Sequence, residues 1–338
     1  MKAVFFENHG GVEQLHHGEF PTPEPSNGEC RVRVRAVALN GFDPMILRSI
    51  PGLKIPLPMI PGGDVAGEIE SFGPGSNIGE WSVDDRVLID PMMLQKGGVL
   101  GETVVGGAAE FITAPLPNLI RIPEGVSFED AAALPIAYGT AHRMMMARGR
   151  VVANDKILVL GASGGVGSCC IQIAKMIGAE VMACTSSGEK AEKLKALGAD
   201  HVIDTSKEDY VEAVRGLWGR PRVFSGLGNG GADVIINYNG GESWTECFRA
   251  LSRGGRLLVC GATNGHEPKT DLRYIWSFEF DILGSNGWQR SDLETLLEMV
   301  RDGRIKPALH SVRPLAKLRD SLAELIERKV VGKAVLVP

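Results

Sequence analysis

The sequence predicts an α/β protein that joins a β-rich segment to a doubly wound parallel sheet, and three observations predict it. Residues 30–39, CRVRVRAVAL, alternate polar Arg31, Arg33 and Arg35 with apolar Val32, Val34 and Ala36, the period of a half-buried strand. From residue 156 onward, apolar strands alternate with helix-period segments, the pattern of strands covered on both faces. Between a strand and a helix of that series, residues 158–175 read LVLGASGGVGSCCIQIAK, a turn crowded with glycine.

The elements follow in order. MKAVFFENHG reads as a first strand, and DVAGEIESFG and DRVLID as further short ones, with PTPEPSNG and IPGLKIPLPMIPGG as turns and connectors. At Ser127 the character changes: Ser127 followed by Asp130 is a helix-start signal. Strand–helix units come next: KILVLGA with GSCCIQIAKMIG, EVMACTS with GEKAEKLKALG, HVID with KEDYVEAVRGLW, and DVIINYN with SWTECFRALS. GRLLVCGA and FEFDILGS close the series. Residues 219–231 form a long aperiodic loop, expected to be mobile. Two helices, SDLETLLEMVRDG and LAKLRDSLAELIER, and a last strand, GKAVLVP, are too few for a core of their own. They are expected to pack back on the first part. The predicted divisions are 1–126, 127–288 and 289–338.

Composition narrows the function. A chain of 338 residues exceeds one ordinary core, so two domains are expected. The net charge of −5 argues against a phosphate-tracking nucleic-acid surface. No apolar run reaches the ~20 residues of a membrane span, and the N-terminus lacks a signal core. The six cysteines have neither metal-site nor disulfide-framework spacing, which suits a reducing cytoplasm. Adjacent Cys169 and Cys170 are expected to pack toward the sheet rather than act as a redox pair.

Ala162, Gly164 and Gly167 follow the register of a dinucleotide loop, with alanine in the first glycine slot. Such a turn lets the backbone approach a pyrophosphate, and the following helix offers free N–H groups and the positive end of its dipole. The place of a ribose-binding acid, about 20 residues on, reads ACTSSGEK and holds no Asp. Ser186, Ser187 and Lys190 can instead offer donors and positive charge to a 2′-phosphate, which favours NADP(H). On its own, Lys190 would also serve as a solvated first-turn residue.

The segment NDKILVLGASGGVGSCCIQIAK resembles the signature of the zinc-free quinone oxidoreductase (zeta-crystallin-like) branch of the medium-chain dehydrogenase/reductase superfamily. PGGDVAGEIESFGPG, LPIAYGTAH and GKAVLVP resemble superfamily positions, so the likeness covers nearly the whole chain. The resemblance implies a GroES-like catalytic domain, residues 1–126 and 289–338, wrapped onto a Rossmann domain, 127–288, with the active site in the cleft between them. It implies that Gly164, Gly165 and Val166 face the pyrophosphate. Thr140, Asn239, Gly261, Ala262, Ser285 and Asn286 match positions around the nicotinamide and its ribose, and Lys333 a basic position at the phosphates. It also implies a homodimer, paired edge to edge through FEFDILGS.

Zinc relatives carry a Cys-His pair, a Gly-His-Glu turn and a third ligand near the inter-domain helix. Here those places read Asn40-Gly41-Phe42-Asp43, Gly62-Gly63-Asp64, and Ile136-Ala137, and residues 90–111 contain no cysteine of a structural zinc lobe. Zinc needs three or four converging N, S or O ligands, so none is expected. Without a metal, hydride addition to a quinone or an α,β-unsaturated carbonyl is the easier chemistry, since hydrogen bonds can hold the resulting enolate. Asn40 and Asp43 either contact substrate or cofactor ribose, or shape their turn by bonding its backbone. PMILRSIPGLK lacks the catalytic tyrosine of enoyl thioester reductases. Tyr138, His142 and Met144–Met146 read as helix packing, and Arg48 as a surface residue. The alternatives are a zinc-free NADP-linked alcohol or ketone dehydrogenase, and a nucleotide-binding protein without turnover.

Overall fold

The computed structural model describes residues 1–224, 226 and 229–338. The chain forms two compact units, one of Met1–Tyr138 with Arg290–Pro338, the other of Gly139–Gln289. The first division thus falls at Gly139 rather than Ser127. Ser127 does start a helix, its hydroxyl accepting from the Asp130 N–H at 3.0 Å. That helix, Phe128–Ala132, packs on strands Glu29–Ala38 and Asp64–Phe72 of the first unit and so stays with it.

In the first unit, among the described residues, a seven-stranded sheet is centred on Glu29–Ala38. Cys30, Val32 and Val34 face its core while the three arginines face out, as the alternation requires; from Ala36 to Ala38 every side chain is buried. Asp64–Phe72 pairs antiparallel on one side, with Ala38 opposite Asp64. On the other side lies the closing strand, Lys333–Val337, with Val335 opposite Ala38. These two registers bring Asn40, Asp64 and Lys333 to one end of three adjacent strands. A strand at Leu309–Pro314 runs parallel to the closing strand and was not legible in the sequence.

In the second unit, among the described residues, six parallel strands lie in the order His201–Asp204, Glu180–Thr185, Lys156–Val159, Ala232–Ile236, Leu251–Val259, Asp281–Gly284. The chain order reverses between Lys156–Val159 and Ala232–Ile236. In such sheets ligands bind at that reversal, outside the carboxyl ends of the strands. The glycine turn leaves the first of these two strands and the segment Asn237–Gly241 leaves the second. FEFDILGS divides between a short helix, Leu272–Phe278, and the edge strand, Asp281–Gly284. Of the expected mobile loop, residues 225, 227 and 228 lie outside the described residues. No described helix is long and apolar enough to cross a membrane.

Candidate functional site

In the second unit the glycine turn is bound on both sides. The Leu160 N–H donates to Ile236 O and the Ala162 N–H to Cys184 O, tying the turn to both neighbouring strand ends. Gly161, which the register reading did not use, takes the left-handed conformation at φ +70°. Gly167 fulfils the close-packing role: a Cβ there would lie 2.7 Å from Ala162 Cα and Gly161 O. Helix Gly165–Ile177 starts directly after the turn, so the N–H groups of Gly165 and Val166 have no carbonyl within their own helix.

The adenosine end has no acid on the second strand, which finishes at buried Thr185. Glu189 is exposed. Lys190 reaches back to the turn, its Nζ 3.5 Å from Ser163 Oγ. Ser187 is fixed by its N–H on Thr185 Oγ1, and Ser186 is exposed beside it. Ser163 lies between the register positions Ala162 and Gly164 and carries no signal of its own in the sequence.

Of the remaining expected cofactor residues, Asn239, Gly261, Ala262, Ser285 and Asn286 follow the carboxyl ends of the later strands. Buried Asn237 shapes the turn that carries Asn239, its Oδ1 accepting from the Asn239 and Gly240 N–H groups. Gly261 and Ala262 are exposed just past Leu251–Val259. Ser285 donates its N–H to Val259 O, and its buried Oγ has no protein partner. Asn286 is exposed next to it, and Thr140 is half-buried at the unit's first helical turn.

In the first unit a polar cluster is buried. Asp64 Oδ2 accepts from Asn40 Nδ2 and from Lys333 Nζ, both at 2.9 Å, while its Oδ1 accepts from the Ile136 N–H at 3.0 Å. Lys333 Nζ also donates to Asn40 Oδ1. Lys333 is only 2% exposed and Asp64 is fully buried, so this ammonium has no surface to offer a cofactor phosphate. That corrects the role the resemblance implied: antiparallel pairing of the closing strand turns Lys333 onto Asp64. Asp43 Oδ2 accepts from the Asn40 N–H at 2.6 Å, which is the turn-shaping alternative, and its Oδ1 is buried without a partner. Burial pushes the Asp43 carboxyl up to about 7; the Asn40 N–H and the Lys333 ammonium pull it down, Asp64 pushes it up, and the Gly62 N–H pulls it down.

Other side chains stand as packing. Tyr138 is fully buried, its hydroxyl oxygen accepting from the Ala308 N–H. His142, Met144 and Met145 are buried, and Arg48 is exposed. Cys169 and Cys170 are fully buried, and burial raises both thiols well above their usual range, away from the reactive thiolate.

Residues 26–124 match the alcohol dehydrogenase GroES-like domain family, and residues 165–302 the zinc-binding dehydrogenase family. The chain is 30% identical to the quinone oxidoreductase of Mus musculus over 345 residues, covering all of this chain and 98% of that one. The chain belongs to the medium-chain dehydrogenase/reductase superfamily. It is also 28% identical to the synaptic vesicle membrane protein VAT-1 homolog of Homo sapiens, over all of this chain and 86% of that one. Among solved structures, a NAD-dependent alcohol dehydrogenase superposes at TM-score 0.89 with 33% identity, each chain fully covered. A cobalt- and zinc-bound thermostable alcohol dehydrogenase from Pyrobaculum aerophilum gives 0.85 with 32% identity, over all of this chain and 99% of that one. The superfamily makes the protein an oxidoreductase with a nicotinamide dinucleotide cofactor, and the two units the GroES-like and Rossmann-type parts of its α/β fold.

The superfamily's zinc does not fit the residues present. At Gly63, where the ligand histidine belongs, a Cβ would lie 2.5 Å from Leu100 O and 3.0 Å from the Ile136 side chain, so a side chain there would force the Leu100 backbone to move. Asn40 and Asp64 already hold an ammonium. Among the described residues no group of three or more His, Cys, Asp or Glu converges as a metal would need.

Proposed function

We propose that this protein moves hydride from NADPH to a quinone or an activated C=C bond, with no zinc in the reaction. The observation that carries the reading is the first unit's cluster: no space for a ligand at Gly63 unless the Leu100 backbone moves, and the Lys333 ammonium seated on Asn40 and Asp64. Reduction of a simple carbonyl concentrates charge on one oxygen, which zinc relatives offset with the metal. Addition to an enone or quinone spreads that charge, and hydrogen-bond donors can hold it. The nicotinamide supplies the hydride when bound; the protein's part is to orient and to donate hydrogen bonds. Asn40, with its carboxamide fixed at both ends, is the residue we assign to the substrate or the cofactor ribose. The likeness to the mouse quinone oxidoreductase supports the reading.

NADP(H) is favoured by Lys190, Ser163, Ser186 and Ser187, which offer a cation and hydroxyl donors where no carboxylate stands. Substituting Lys190→Ala is expected to raise KM for NADPH roughly tenfold and leave that for NADH within about twofold, a contrast worth ~1.4 kcal/mol. An equal effect on both coenzymes contradicts a 2′-phosphate contact. The six cysteines, all described and none in a disulfide, suit a reducing compartment such as the cytoplasm, and we propose a homodimer paired along Asp281–Gly284. The negative net charge gives no support for a nucleic-acid partner.

The test is steady-state turnover of chelator-treated enzyme on enones and quinones with NADPH, beside alcohol oxidation with NADP. Turnover of the first group without added metal is expected. A second reading, a zinc-free alcohol or ketone dehydrogenase, is favoured by the 33% identity to an alcohol dehydrogenase. Alcohol oxidation alone would establish it, and coenzyme binding without turnover on any acceptor would leave a nucleotide-binding protein.

A further inference from the structure

One hydroxyl lies against the whole glycine turn, and it belongs to Tyr238, which follows the strand Ala232–Ile236. Its Oη donates to Gly161 O. The Gly167 N–H faces the same oxygen. A Cβ at Gly161 would come within 2.9 Å of that oxygen, and one at Gly164 within 3.1 Å. A single phenol therefore meets the turn at its start and middle, and meets the helix Gly165–Ile177 in its first turn.

We propose that Tyr238 is a positioning residue for the dinucleotide: its hydroxyl links the Gly161 carbonyl to the Gly167 N–H and so aims the Gly165 and Val166 N–H groups at the pyrophosphate. The proposal rests on the reading of this turn as the dinucleotide cradle. The turn is tied to its neighbouring strands at Leu160 and Ala162, but glycines at 161, 164, 165 and 167 leave backbone freedom between those ties and the helix, and what is left is lost when ligand binds. The phenol removes that freedom in advance. It has one hydrogen, given to Gly161 O, and its oxygen faces Gly167 N–H, so two polar groups of the turn are occupied inward. Gly165 and Val166 remain as the outward donors. Burial raises the Tyr238 hydroxyl far above its ordinary range, which keeps it a donor at any working pH.

Tyr238→Phe keeps the ring; Gly161 O still accepts from the Gly164 N–H at 3.0 Å, while the Gly167 N–H is left facing a C–H, the costly way to lose a hydrogen bond. Calorimetry with NADPH, NADH and adenosine 2′-monophosphate separates the roles, because the last lacks a pyrophosphate. The variant is expected to bind both dinucleotides roughly five- to tenfold more weakly and the mononucleotide within about twofold of the native protein. Its kcat at saturating NADPH is expected to hold within about twofold while KM rises. Tyr238→Ser, which leaves a polar hollow that water can bridge, is expected to recover part of the loss and serves if the phenylalanine variant fails to fold. Unchanged dinucleotide affinity in the variants, or equal weakening of dinucleotide and mononucleotide, overturns the proposal. Failure of the native protein to bind either dinucleotide overturns the cradle reading itself.

Discussion

A lysine that is 2% exposed must have its charge answered, and Asp64 answers it at 2.9 Å. Such a pair is weak evidence of stability, since each ion gave up its water; removing one partner is what costs heavily. Lys333→Met is therefore expected to destabilise the protein by about 3–5 kcal/mol, and Lys333→Met with Asp64→Leu by less, in urea unfolding. A surface lysine devoted to phosphate would give a much smaller loss. Asp43 adds a pH dependence. Its folded carboxyl titrates near 7, above the ordinary 3.8, so between those values the folded state holds the extra proton. Stability from this group therefore falls as pH rises through that window, by up to about 1.4 kcal/mol per pH unit. Asp43→Asn keeps an acceptor for the Asn40 N–H and removes the titration. The stability difference, variant minus native, is expected to grow from pH 5 to pH 7 and then level; a flat difference contradicts a raised Asp43. Asn40 and Asp43 were legible as a polar turn, but their partners were not. Asp64 and Lys333 lie 24 and 293 residues from Asn40, and only strand register brings them together.

The glycine turn shows the opposite case, an element readable from neighbours in sequence. A strand, a small-residue turn and a helix within 18 residues leave few ways to fold, and Gly167 sits where helix and strand touch. Gly167→Ala would set a methyl 2.7 Å from Ala162 Cα and Gly161 O, backbone on both sides. The helix has to shift. A loss of about 1–3 kcal/mol in thermal or urea unfolding, with weaker coenzyme binding, is expected. Full stability in this variant contradicts the close approach. The elements that stayed hidden are short or lack a buried stripe. Helix Leu272–Phe278 has no buried residue, and strand Leu309–Pro314 alternates only between half-buried and exposed. Neither leaves the periodic apolar signal by which the other segments were recognised.

At the scale of the molecule, the return of residues 290–338 to the first unit was legible because two helices and a strand cannot enclose a core. The place of the first division was not, since a helix start says nothing about which sheet the helix covers. The second unit leaves one further question in its sheet. Among the described residues, Asp281–Gly284 pairs with Leu251–Val259 on one side and ends the sheet on the other. Beside it in sequence, helix Leu272–Phe278 carries Leu272 and Trp276 at 68% and 72% exposure. An unpaired strand edge is a template for another strand, and the proposed homodimer would close this one with a second copy of the same edge about a two-fold axis. Ile282→Lys places a charge on that edge. The native protein is expected to scatter light as twice the 36.2 kDa of one chain, and the variant as a single chain with unchanged coenzyme affinity. A native mass of one chain contradicts the edge pairing, as does a variant that remains double.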